Sequence, residues 1–158
     1  MEHRRRSDLA IWAGVLTAVL WQGTAEISSR LVNAGQVPPA WLPSGSSFPL
    51  VMLLSVVPDG GWWLVGLIVS FVLIGLLTGL GVRLVMRPGF DGLRSFLAIW
   101  MVVVLAAGVT TLLTVPIVAF YGGDGLPINA VYRGAIWGVP MGWLIAVVVA
   151  LGSRRRRP

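Results

Sequence analysis

The sequence predicts an all-α polytopic membrane protein, a four-helix transmembrane bundle with a short interfacial or re-entrant helix on its outer face. Three observations lead to that class. The 158 residues are 56% hydrophobic and only 11% charged, with a mean hydropathy of +0.85, well above a soluble domain of this size. A transmembrane helix needs roughly 20 apolar residues to cover about 30 Å of hydrocarbon, and uncharged runs of that order occur at Trp62 to Val82, Phe96 to Tyr121 and Gly134 to Gly152. The basic residues, all arginine, cluster at the flanks of such runs.

The elements follow in order within a single domain, 1–158. Arg4, Arg5 and Arg6 precede an apolar stretch that begins at Leu9, superficially like a secretory leader. No small-residue cleavage motif follows it, and Gln22 to Val32 keeps helical periodicity, so Asp8 to about Leu31 reads as a first crossing with a polar outer third. The outer segment, 33–61, contains Pro38, Pro39 and Pro43, which cannot continue a helix. Within it Phe48 to Val57 is apolar but too short to span, and reads as the short interfacial or re-entrant helix. Trp62 to about Met86 is the second crossing, ended by Arg87, Pro88 and Gly89. The third runs from about Leu93 to Tyr121, with Pro116 expected to bend it near its outer end. Pro127 suits the first position of the fourth crossing, which runs to about Gly152 with a second kink expected at Pro140.

Arginine placement sets the orientation, because basic residues collect in short cytoplasmic flanks. Of the twelve basic residues, only Arg30 and Arg133 fall on the outer side of this topology. The sequence therefore predicts a multi-pass protein of the inner (plasma) membrane with both termini cytoplasmic. The same placement assigns the net charge of +6 to topology and to anionic lipid head groups, not to nucleic acid.

Chemistry is sparse. The absence of cysteine removes disulfides and thiolate ligands, and His3 is a lone imidazole. No metal or cofactor is expected. No H-E-x-x-H, phosphate-binding loop or G-x-S-x-G is present, and Asp59, Asp91 and Asp124 sit beside glycines as turn residues do. A non-catalytic role is expected.

Three patterns remain. Ala10, Gly14, Ala18, Gln22, Glu26 and Arg30 recur every four residues and turn from small to polar, so the stripe is expected to face the bundle interior. Glu26 and Arg30 are spaced to pair, with Arg133 a second candidate partner. An ionisable residue in a membrane is costly and hence a functional candidate, but at about 1.5 Å per residue Glu26 lies roughly 25 Å from Leu9, near the outer edge of the hydrocarbon. Gln22, Glu26, Arg30 and Arg133 are thus read either as structural pairs or as an outer vestibule. The second pattern is Gly134, Gly138 and Gly142 on the fourth helix and Gly75 and Gly79 on the second, which permit close helix approach. They serve the bundle itself, the second helix packing on the fourth among other arrangements, or a partner subunit or second copy.

The third pattern is a match at six of seven positions between Arg6 to Trp12 and Arg94 to Trp100, which reads as a two-plus-two duplication or as convergence of helices that begin on the same side. Thr110, Thr111 and Thr114 are expected to satisfy carbonyls freed by Pro116. Trp21 and Trp137 lie deeper than the interfacial belts and are expected to pack into glycine grooves, with Gln22 or Glu26 available to an indole N–H. The reading that follows is a membrane subunit or scaffold that holds a membrane protein partner through its glycine faces and outer segment. The alternative is a small homo-oligomeric transporter or channel using the outer vestibule.

Overall fold

The computed structural model describes residues 2–36, 61–86, 92–120 and 127–154. Phe48 to Val57, the turn at Gly122 to Leu126 and Asp91 lie outside the described residues. Four α-helices make up the described fold: α1 Glu2–Asn33, α2 Gly61–Val85, α3 Leu93–Phe120 and α4 Pro127–Arg154. Three are long and apolar enough to cross a membrane, over Ile68–Val85, Leu93–Thr114 and Val131–Gly152. α1 is the exception in hydropathy, because Gln22, Thr24, Glu26, Ser28 and Arg30 dilute its second half.

α1 starts before Asp8 because Glu2 and Arg4 to Arg6 are good helix formers. Its end is set by Gly35, whose φ of +72° lets the Gln36 N–H reach back to the Leu31 carbonyl at 2.9 Å. That 6→1 bond is a Schellman cap, which a residue with a Cβ at position 35 would strain. α3 runs on through position 116 and α4 through Pro140.

Packing proceeds around a ring, α1 on α2, α2 on α3, α3 on α4, and α4 back on α1. Two tight seams dominate it. On the first, a Cβ added at Gly14 would lie 2.5 Å from the Gly75 carbonyl oxygen, and one at Gly79 would lie 3.3 Å from that of Ala10. On the second, a Cβ at Gly134 would meet the Ala107 carbonyl oxygen at 2.5 Å, at Gly138 the Val104 Cα at 2.6 Å, and at Gly142 the Trp100 ring at 2.8 Å. Only the missing side chains let these backbones approach so closely, and dispersion over the contact supplies attraction. Gly75 and Gly79 of α2 therefore face α1, and Gly134, Gly138 and Gly142 of α4 face α3, so the packing of the second helix on the fourth by these glycines is not how the chain closes. A further contact joins α2 to α3, where Gly81 receives the Val102 side chain.

The surface is inverted relative to a soluble bundle. Ile11, Trp12, Leu76, Leu84, Leu105, Leu151 and other large apolar residues are exposed, while Thr17, Thr24, Ser28, Ser70, Thr78, Thr110, Thr111 and Thr114 are buried. Water disfavours that arrangement.

The matched heptads do not occupy matched environments. Ile11 is 62% exposed and Ile99 is 2% exposed. Trp12 is exposed, whereas the Trp100 Nε1 donates to the Val139 carbonyl of α4 at 2.8 Å. The two halves are therefore not packed as equivalent units at these positions.

The seams make a direct prediction. Gly14→Ala and Gly138→Ala should each destabilise the protein by about 1–3 kcal/mol through overpacking against backbone that cannot yield. Gly23, with open space where its Cβ would be, should gain up to about 1 kcal/mol on substitution by Ala. Thermal unfolding of the three variants in one detergent measures both signs.

Candidate functional site

The buried positions of α1 include Ala10, Gly14, Thr17, Trp21, Thr24 and Ser28, spaced alternately four and three, with Ala13, Ala18 and Ala25 buried beside them. That spacing averages 3.5 residues and keeps one face toward its neighbours along the helix. A strict four-residue repeat instead rotates by about 40° at each step on a helix of 3.6 residues per turn. The stripe from Ala10 to Arg30 consequently faces inward only as far as Ala18. Gln22 and Glu26 are half-buried at the edge, and Arg30 is exposed, contrary to the inward face expected for the whole series.

Trp21 and Trp137 are both fully buried and meet edge to face, with ring centroids 4.6 Å apart and planes at 83°. This geometry sets the positive ring edge of one against the negative face of the other and adds about 1 kcal/mol beyond area burial. Trp137 lies roughly 15 Å from the start of α4, near the middle of the helix. The two rings thus join α1 to α4 at mid-height, packed on each other rather than in glycine grooves.

The Trp137 Nε1 donates to Thr24 Oγ1 at 2.8 Å, and that hydroxyl donates in turn to the carbonyls of Leu20 at 2.7 Å and Trp21 at 3.0 Å. Thr24 is thus the partner of the Trp137 indole. The residue carried no sequence signal beyond its place in the four-three seam. The Trp21 Nε1, Thr78 Oγ1 and Thr110 Oγ1 are buried with no hydrogen-bond partner among the described residues.

The threonines of α3 also depart from expectation. Thr111 Oγ1 donates to the carbonyls of Ala107 and Gly108, and Thr114 Oγ1 to those of Thr110 and Thr111. Pro116 frees the carbonyl four residues before it, at position 112, which none of these bonds reaches. The hydroxyls satisfy themselves on their own helix, and Thr111 also supplies the surface into which Gly134 fits. Thr17 does the same on α1, donating to the Ala13 carbonyl at 2.7 Å.

Near the C-terminal end of α1 the Arg30 Nε donates to Glu26 Oε1 at 3.0 Å. The pair is local to one helix turn, and the Arg30 side chain is 73% exposed. Arg133 is exposed near the start of α4. Among the described residues, no group of three or more His, Cys, Asp or Glu is placed to hold a metal ion.

No family profile, curated protein or solved structure matches the chain.

Two substitutions separate the roles of these polar groups. Thr24→Val should cost about 1–3 kcal/mol by leaving the buried Trp137 N–H without an acceptor, and Thr24→Ser should restore most of it. Glu26→Gln should cost less than about 1 kcal/mol, as exposed pairs do. Denaturation of the variants, with Trp137→Phe closing a double-mutant cycle for Thr24, tests the ranking.

Proposed function

We propose that the chain crosses the cytoplasmic membrane four times with both ends inside, and acts there as a non-catalytic subunit or scaffold for a membrane protein partner. One observation carries the reading: large apolar side chains cover the outside of the bundle while hydroxyls line its centre. Lipid stabilises that arrangement, because exposed leucines face hydrocarbon and the hydroxyls of Thr17, Thr24, Thr111 and Thr114 bond carbonyls of their own helix. α1 joins as the fourth crossing. Its polar seam faces the other helices, and Ile11, Trp12, Val15, Val19 and Ile27 form its exposed face. The arginine distribution supports the orientation.

The centre of the bundle supports a structural role. Trp21 and Trp137 fill it at mid-height. The glycines that a partner was expected to use are occupied by neighbouring helices of the same chain. The partner surface accordingly falls to the outer segment, 33–61, and to the exposed apolar faces.

Two measurements test this. Because the chain lacks cysteine, Ser153→Cys should react with an impermeant maleimide only after the membrane is opened, and Ser46→Cys should react from outside; the reverse pattern overturns the topology. Gentle detergent purification from native membranes should bring down a stoichiometric partner, and replacing residues 38–57 with a Gly/Ser linker should release it. A pure homo-oligomer that carries flux abolished by Glu26→Gln would reject the scaffold in favour of a transporter.

A further inference from the structure

The α1–α2 seam is closed at its floor and open along one side, leaving a groove of about 430 Å³. Gly14, Gly75 and Gly79 line the floor, Leu76 and Leu80 are among the apolar walls, and Ser7 and Arg83 stand at one end. The helices run antiparallel here, so the last turn of α2, which carries Arg83, lies beside the first part of α1.

Length and charge define what fits. The lining runs from Ser7 to Ala18 and from Phe71 to Arg83, about 17 Å at 1.5 Å per residue. That is close to half of a hydrocarbon core roughly 30 Å thick, so the groove extends over one leaflet. An acyl chain of one leaflet ends where the groove does. Glycine floors expose backbone that a thin, flexible chain can lie against. At the head-group end the exposed Arg83 offers a planar fork of donors that matches a phosphate, and its long stem lets the guanidinium reach the interface. The apolar trough and its terminal cation are complementary to a lipid with a negative head.

We infer that the α1–α2 groove binds one anionic phospholipid of the cytoplasmic leaflet, with an acyl chain over Gly14, Gly75 and Gly79 and the phosphate on Arg83. The inference rests on the membrane topology proposed above. It adds a specific lipid site to the general attraction of arginine for anionic surfaces, and it makes Arg83 different from Arg94, which is exposed on the first turn of α3 and does not line the groove.

The test uses the full chain in vesicles of phosphatidylcholine mixed with phosphatidylglycerol, released gently and weighed intact by native mass spectrometry. The native chain should retain one phosphatidylglycerol in preference to phosphatidylcholine. Arg83→Gln should lower that preference about fivefold, what one arginine near an anionic head group contributes, while Arg94→Gln leaves it unchanged. Leu76→Trp, which sets a ring over the trough, should remove the retained lipid of either class. Equal retention of both lipids by the native chain, equal effects of Arg83→Gln and Arg94→Gln, or a second protein chain covering position 76 overturns the assignment. Alkaline carbonate extraction of the same vesicles separates the two levels: a chain that stays embedded without lipid preference loses only the groove assignment, and a chain that washes off loses the membrane topology with it.

Discussion

The bundle depends on backbone meeting backbone where side chains are missing. At Gly14 and Gly138 the space for a Cβ is already taken by the Gly75 carbonyl and the Val104 Cα. In water, helices associate because apolar area leaves the solvent. In lipid that term vanishes, and close contact must supply the attraction. The two glycine seams therefore fix α1 against α2 and α3 against α4, and they set which faces remain for the rest of the structure.

Joining the pairs falls to larger groups. Val102 enters the gap at Gly81 between α2 and α3, and the tryptophan pair spans α1 and α4. A tryptophan at mid-height brings a polar N–H into an apolar place, and Thr24 resolves that for Trp137 while bonding its own helix. Thr17, Thr111 and Thr114 work the same way, turning back on carbonyls three or four residues earlier. This is helix-local satisfaction, which leaves their methyl groups to pack. It makes a polar-looking centre behave as a packed core.

Glu26 and Arg30 pair on one turn in the second half of α1. Large apolar side chains are exposed on all four helices, and a groove between α1 and α2 ends at Arg83.

Much of the fold was legible in the sequence. Composition and the uncharged runs determined that the chain is helical, and Pro, Gly and Arg set the boundaries of α2, α3 and α4 to within a residue or two, because those residues act on the backbone locally. The small residues at 75, 79, 134, 138 and 142 marked which faces approach another helix. Which helix they approach was not determined, since a glycine carries no information about its partner. The polar stripe on α1 misled for a related reason: a four-residue repeat looks constant in sequence but drifts by about 40° per step around a helix, so Glu26 and Arg30 reached the edge. Only the tertiary structure, in which distant helices compete for one interior, decided that Trp21 would meet Trp137 and that Thr24 would receive its indole.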